Sequence, residues 1–410
     1  MARKIKKYFH LFQAILANVL FGFPAKKLFV IGVTGTDGKT TTVHLIYHIL
    51  TQAGKKVAMI STTGAFINKK VYDTGFHVTT PSSFTLQTYI KKAVEHKVEY
   101  VVLEVTSHAL DQYRVWGIPF KIGILTNVSH EHLDYHGTFD QYVATKMKLL
   151  QTANVAVVNR DDESYKSIMN YVSGSMYKGK LVTYGMNHNA DVNLQSFQFK
   201  TKLIGDFNKY NALAAIAACR EIGIADEDIR AAITSFEPPV GRQEVVYEGD
   251  FTVIIDFAHT PNAFAELLAE IARGKRGRLI HVFGAAGERD STKRQIMGKI
   301  SSQYADIIIL TAEDSRSESI DDIMTQIEKG IPSSFDRLDP ELADTTQLKK
   351  RTLFKIQDRQ EAIEYAISLA QKGDVVLCTG KGHEKSMNLG DGEVSWDEAR
   401  TVKEAIRRNV

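Results

Sequence analysis

The chain has 410 residues, 44% of them hydrophobic and 24% charged, which suits a soluble globular protein of two or three domains. A formal net charge of +3 is too small to point to a nucleic-acid partner. Its two cysteines, Cys219 and Cys378, stand far apart in apolar settings, the pattern of reduced core cysteines in a cytoplasmic protein rather than of a disulfide or a thiolate metal site.

The first 27 residues differ from the rest. Arg3, Lys4, Lys6 and Lys7 precede Phe9, Leu11, Phe12, Ile15, Leu16, Val19, Leu20 and Phe21, a helix-like run too short and too interrupted to span a membrane and lacking a small-residue cleavage site. Two readings stand open. The segment is a helix packed on the domain that follows, or a basic amphipathic helix resting on an anionic membrane surface.

The apolar run 28–33 reads as a buried strand and 43–50 as a helix, with Thr34-Gly35-Thr36-Asp37-Gly38-Lys39-Thr40-Thr41 around the turn between them. A glycine-rich turn at a strand-to-helix switch aims backbone N–H groups at one spot, where the helix dipole also favours negative charge. Lys39 supplies a mobile cation for the outer phosphates and the Thr40 hydroxyl can join a Mg²⁺ shell, so the segment reads as an ATP site. The common form of this loop has a glycine five positions before the Gly-Lys pair, where Val33 stands here, and Gly35 lies closer.

Strands and helices then alternate. Runs at 57–61, 100–105, 122–127 and 155–159 read as strands of a mostly parallel sheet, with helices at 83–96, 140–151 and 210–221. Pro238-Pro239-Val240-Gly241 reads as a boundary. Beyond it 251–257, 279–283, 307–311 and 375–379 read as strands of a second open α/β sheet. Each strand there ends in a polar segment: Asp256 to His259, Gly284 to Gly287, Glu313 to Arg316, and Gly380 to Glu384. The fold class expected is α/β, a P-loop ATPase central domain (28–238) and a Rossmann-like C-terminal domain (239–410) behind the N-terminal segment (1–27), with a cleft between the two domains.

Glu104 leaves a buried strand near the loop, a place to hold Mg²⁺. His130 and His132 follow the next strand. Lys146 lies in a helical stretch, where spacing alone suggests a solvated face. The order Gly-Thr-Asp-Gly-Lys-Thr-Thr, Thr79-Thr80-Pro81, Glu104-Val-Thr-Ser-His-Ala-Leu-Asp-Gln, Thr126-Asn-Val-Ser-His-Glu-His-Leu-Asp-Tyr-His-Gly and Ala-Thr-Lys146 resembles the Mur ligases, nearest to the MurE type that adds the third stem-peptide residue. The resemblance runs from about Gly22 to Arg408.

That resemblance implies an ATP-dependent amide ligase of peptidoglycan precursor synthesis, acting through an acyl phosphate on a muramoyl-dipeptide acceptor. It implies that Thr36, Asp37, Gly38, Lys39, Thr40 and Thr41 hold the phosphates, and that Thr40, Glu104, His132 and a carbamylated Lys146 surround two Mg²⁺ ions. Lys39, Glu104, His132 and Lys146 are the implied catalytic set. Thr79, Thr80, Ser107, His108, Gln112 and Arg114 match acceptor-facing positions; Asn208 or Asn211, Arg242 and Asp256 fall where the family grips adenine and ribose. Family members that use meso-diaminopimelate carry Asp-Asn-Pro-Arg, and here Glu313-Asp314-Ser315-Arg316 aligns with it. The retained arginine favours an amino acid with a remote carboxylate over lysine. Arg289, Gly380 and Glu384 match further amino-acid contacts.

The family normally begins with a domain that holds the acceptor's uridine diphosphate, and here only the basic apolar segment precedes Lys27. The expectation is an acceptor held by its muramoyl-peptide part, or presented by a partner or as a lipid-linked intermediate at the inner face of the membrane. The alternatives are a Mur-like ligase for another γ-glutamyl or pseudomurein-type acceptor, and a nucleotide-binding scaffold at the membrane.

Overall fold

The computed structural model describes residues 2–409 apart from 76–77, 130–132, 175–176, 188, 344–347 and 349–350. The chain folds as two compact units, Met1–Glu237 and Pro238–Val410.

The first unit opens with helix α1 (Ala2–Phe21), then strand β1 (Phe29–Thr34), α2 (Lys39–Gln52), β2 (Val57–Ser61) and a short pair, β3 (Gly64–Ile67) and β4 (Lys70–Tyr72). Next come α3 (Ser83–Glu95), β5 (Tyr100–Glu104), α4 (Ser107–Asp111), β6 (Phe120–Leu125), α5 (Leu133–His136) and α6 (Phe139–Thr152). Strand β7 (Val155–Asn159), α7 (Tyr165–Gly174), β8 (Lys180–Tyr184), α8 (Asp206–Ile222) and α9 (Asp226–Ser235) complete it. The eight strands form one sheet in the order β4-β3-β2-β5-β1-β6-β7-β8. From β2 to β8 all neighbours are parallel, whereas β3 and β4 add an antiparallel edge. Side chains of α2, α8 and α9 close one face of this sheet, and those of α3 and α6 close the other. Buried Val, Ile and Leu on both faces explain why these strands are continuous apolar runs. Because chain order reverses on either side of β1, the turn after β1 lies at a switch point, where open α/β sheets bind ligands.

Helix α1 is seated on the first unit by its small and polar side. Ala14, Ala17 and Asn18 are buried, and Asn18 Nδ2 donates to the Trp116 carbonyl at 2.8 Å. Its large apolar side chains face outward, with Tyr8, Phe9, Phe12, Val19 and Leu20 all more than half exposed. Packing on the following domain is therefore realised, and the apolar stripe stays outside it. Among the described residues no helix is long and apolar enough to cross a membrane.

The second unit contains β9 (Glu244–Glu248), β10 (Thr252–Asp256), α10 (Pro261–Gly274), β11 (Leu279–Phe283), α11 (Thr292–Tyr304), β12 (Ile307–Leu310) and α12 (Ile320–Glu328). It continues with β13 (Asp336–Arg337), β14 (Thr352–Lys355), α13 (Arg359–Leu369), β15 (Val375–Thr379), the hairpin β16 (Ser386–Asn388) and β17 (Glu393–Ser395), and α14 (Glu398–Asn409). Its sheet runs β13-β14-β12-β11-β15-β10-β9, parallel except for the edge strand β9. The buried pair Arg359–Glu398, at 2.5 Å and fully shielded, ties α13 to α14.

Candidate active site

The turn between β1 and α2 has a shape only glycine permits at two points. Gly38 has φ 80°, and a Cβ on it would fall 2.1 Å from Asn211 Oδ1; a Cβ on Gly35 would fall 1.8 Å from Thr126 Oγ1. The end of β6 fixes the rest of the turn. Asp37 N–H donates to Asn127 Oδ1 at 2.8 Å, and Thr126 Oγ1 donates to the Asp37 carbonyl at 2.6 Å. Thr41 is buried in the first turn of α2.

Four of the residues expected to act together lie around this turn. Lys39 Nζ donates to the carbonyls of Gly35 (3.1 Å) and Thr36 (2.8 Å). Lys146, buried in α6, donates to the same Gly35 carbonyl at 2.5 Å, with its ammonium 4.4 Å from the Tyr142 ring centre. Thr40 Oγ1 donates to Glu104 Oε1 at 3.0 Å, and the Thr62 N–H donates to Glu104 Oε2 at 3.1 Å. Glu104 is placed there because β5 pairs with β1, opposing Val33 to Glu104. His132 and His130 lie outside the described residues.

These residues fit a triphosphate and magnesium. Backbone so close that no Cβ is tolerated, a lysine folded onto loop carbonyls, and a hydroxyl bonded to a carboxylate are the parts of a phosphate cradle with hard oxygen ligands. Among the described residues no three His, Cys, Asp or Glu side chains group as a metal cluster. Thr40 and Glu104 thus offer two oxygens, and Mg²⁺ ordinarily keeps several waters beside such ligands.

The acceptor-facing candidates form a connected layer beside that turn. Thr80 Oγ1 donates to the Glu104 carbonyl at 2.9 Å, and Thr62 Oγ1 donates to Thr79 Oγ1 at 3.2 Å. Arg114 donates to the Thr80 carbonyl (2.7 Å) and, through Nε and Nη2, to Gln112 Oε1. His136 Nε2 and Ser107 Oγ are 3.0 Å apart, and the His108 ring lies 4.2 Å from that of Tyr135. At the start of α8, Asn211 Nδ2 donates to Asn208 Oδ1 at 3.0 Å. That places Asn211 directly beside the Gly38 backbone.

In the second unit, Asp256 accepts from the Gln243 and Ala258 N–H groups at 2.8 and 2.7 Å, and burial raises its pKa despite the Arg242 charge. The Arg242 guanidinium lies 4.4 Å from the Phe257 ring centre. Glu313 is buried against Gly380, with burial again raising its pKa, and among the described residues its Oε2 has no hydrogen-bond partner. Arg316 adopts φ 51° and donates from Nη1 to the Gly287 carbonyl at 2.6 Å. Arg289 is exposed. Lys381, fully buried, pairs with Asp314 Oδ1 (2.8 Å) and Glu384 Oε2 (2.6 Å). It organises two of the expected amino-acid contacts and was absent from the residues singled out in sequence, although it stands between Gly380 and Gly382. Thr62, Tyr135 and Tyr142 were missed as well. Tyr135 lies in a family-like motif without a marked role, and Thr62 and Tyr142 gain theirs from contacts the sequence does not display.

Family profiles match twice: the Mur ligase middle domain over residues 33–219, and the Mur ligase glutamate ligase domain over residues 241–382. The UDP-N-acetylmuramoyl-L-alanyl-D-glutamate--2,6-diaminopimelate ligase of Geobacillus thermodenitrificans is 37% identical over 96% of this chain and 82% of the relative. The enzyme of the same name from Aquifex aeolicus is 38% identical over 95% of this chain and 80% of its own length. A solved structure of a ligase of that name superposes with a TM-score of 0.62 at 29% identity, covering 93% of this chain and 78% of that one. The folylpolyglutamate synthase of Mycobacterium tuberculosis shares the fold, with a TM-score of 0.69 at 16% identity over 90% of this chain and 92% of that one. The chain belongs to the Mur ligase family, and with it to the ATP-dependent amide ligases.

Proposed function

We propose that this ligase joins meso-diaminopimelate to the D-glutamate of a UDP-N-acetylmuramoyl-L-alanyl-D-glutamate-type acceptor in the cytoplasm. The observation that supports it most is the meeting of Lys39 and Lys146 on one carbonyl, with Thr40 and Glu104 bonded alongside. Phosphoryl transfer asks mainly for position and balanced charge, and this cluster offers both. ATP with two Mg²⁺ ions supplies the γ-phosphoryl that activates the acceptor's carboxylate.

The chain's own residues hold and orient. Lys39 and the turn take the phosphates; Thr40 and Glu104, joined by His132, present ligands to the metal. Two ammonium groups on a single oxygen repel each other, and a carbamate on Lys146 turns that repulsion into attraction for Lys39 and for a cation. Arg114, held by Gln112 and the Thr80 carbonyl, and the Ser107–His108 pair bind the acceptor. In the first unit Asn208 and Asn211, and in the second unit Arg242 and Asp256, are the residues assigned to adenine and ribose. Arg316 receives the remote carboxylate of the incoming amino acid, while Glu313, Asp314, Arg289, Gly380 and Glu384 line its place. The outward apolar stripe of α1, in a helix that begins with the basic residues Arg3, Lys4 and Lys6, rests on the anionic inner face of the membrane.

The test is phosphate release from ATP with the acceptor and diaminopimelate supplied together or singly, with lysine and ornithine as competing amino acids. Release that needs both substrates and prefers diaminopimelate supports the reading. Release indifferent to either substrate refutes it.

A further inference from the structure

Helix α1 reaches the acceptor layer through a buried carboxylate. Lys7 Nζ donates to Asp111 Oδ1 at 2.5 Å, and the Asp111 side chain is only 4% exposed. Its other oxygen accepts from Tyr135 Oη at 3.1 Å. The same phenol lies 3.5 Å from Gln112 Nε2, and its ring packs against His108 at a tilt of 42°. Asp111 closes the five-residue α4, whose first two residues are Ser107 and His108. One side chain of α1 thus touches the far end of the element that carries two acceptor-facing residues.

The energetics favour a coupling over an incidental contact. A buried carboxylate needs a partner, and Lys7, at 2.5 Å, is the nearer of the two cations that meet Asp111. Burial pushes the Asp111 carboxyl up, and the hydrogen bond and charge of Lys7, with the Tyr135 hydrogen bond and the Lys148 charge, together outweigh that and leave it below the usual carboxylate range. The next cation, Lys148, is 3.7 Å from the same oxygen and sits on α6. Without Lys7, Asp111 turns toward Lys148 and draws the Tyr135 hydroxyl, with His108 and Gln112, out of register.

We propose that Lys7 and Asp111 are positioning residues for the acceptor, so that the seating of α1 sets the geometry of the layer Ser107–His108–Gln112–Tyr135. The proposal rests on the acceptor assignment made above. It makes the N-terminal helix a part of the acceptor site as well as a surface that meets the membrane.

The experiment is steady-state kinetics of the full chain without vesicles, using UDP-N-acetylmuramoyl-L-alanyl-D-glutamate, diaminopimelate and ATP. Lys7→Met is expected to raise the acceptor KM on the order of tenfold, with kcat and the ATP KM within about twofold of the wild type. Lys7→Arg restores most of the loss. Tyr135→Phe, which keeps the ring and removes the link, raises the acceptor KM in the same way, and the double variant is no worse than the stronger single one. Thermal melting of each variant shows that it is folded. An unchanged acceptor KM in Lys7→Met, or equal rises in the ATP and acceptor KM, overturns the coupling while leaving the ligase reading intact. A wild type with no acceptor-dependent turnover overturns the acceptor reading and the coupling together.

Discussion

At the Gly35 carbonyl two lysine ammonium groups meet, and most of the chemistry proposed for this protein depends on what each becomes when substrates bind. Lys39→Ala removes the charge that meets the transferring phosphoryl group, and turnover is expected to fall at least about 10²-fold in a phosphate-release assay. Lys146→Ala is expected to be comparably impaired and to regain part of its rate with millimolar formate or acetate, because a free carboxylate can take the carbamate's place. Failure of every short carboxylate would speak for Lys146 acting as a plain cation. Arg316→Ala is expected to raise the diaminopimelate KM roughly 10- to 100-fold, the worth of a charge-assisted pair, with little change in the ATP KM. Legibility differs sharply among these residues. Lys39 and Thr40 announce themselves because a phosphate loop is contiguous, and Glu104 because it ends an apolar strand. Lys146 looks like any helix lysine until the fold brings it to a residue 111 positions away. Asp111 and Tyr135 stand inside the family-like motifs, but their link to Lys7 and to each other shows only in the fold.

At the scale of elements, the turn between β1 and α2 is specified by backbone as much as by side chains. Gly38→Ala places a methyl group on Asn211 at a left-handed φ, and is expected to cost on the order of 1–3 kcal/mol in chemical unfolding and to abolish ATP binding. A variant that binds ATP normally would show the loop to be more yielding than its packing indicates. Most of the buried strands of both units were readable as apolar runs, since they are covered on both faces, but β8 and β14, which begin or end in Lys and carry Thr, were not. The hairpin β3–β4, the edge strand β9 and the pair β16–β17 were not. They are short and antiparallel, β4, β9 and β17 are largely exposed, and no sustained period marks them in the sequence. His281 on β11 is similarly silent in sequence. It is fully buried between Ser301 Oγ and Thr379 Oγ1, and burial, aided by the Arg359 charge, lowers its pKa from 6.5 to about 3. The unfolded chain therefore takes up a proton that the native unit refuses, so this site's contribution is complete above pH 6.5 and is lost as pH falls toward about 3. Replacing His281 by Gln should flatten that part of the acid-denaturation profile.

For the whole molecule, the family assignment explains the two α/β units and their order along the chain, and α1 is the part that asks for a reason of its own. A helix that buries alanines and turns Tyr8, Phe9, Phe12, Val19 and Leu20 outward is poorly suited to water alone. The full chain is expected to sediment with vesicles containing phosphatidylglycerol, and far less with neutral phosphatidylcholine or at high salt. A chain lacking residues 2–21 should lose that partition. Concentration-dependent dimerisation without vesicle binding would assign the stripe to a second copy instead. The basic, apolar character of this segment was plain in the sequence, but its direction was not: which side of a helix faces inward depends on what it packs against, here Trp116 and Asp111.

The most direct measurement of the central claim is phosphate release by the purified full chain with ATP and Mg²⁺ while acceptor and diaminopimelate are added in turn. The account predicts little release with either alone and sustained release, matched one for one by the new amide, when both are present. Hydrolysis that proceeds at the same rate without acceptor, or a product lacking diaminopimelate, would contradict it.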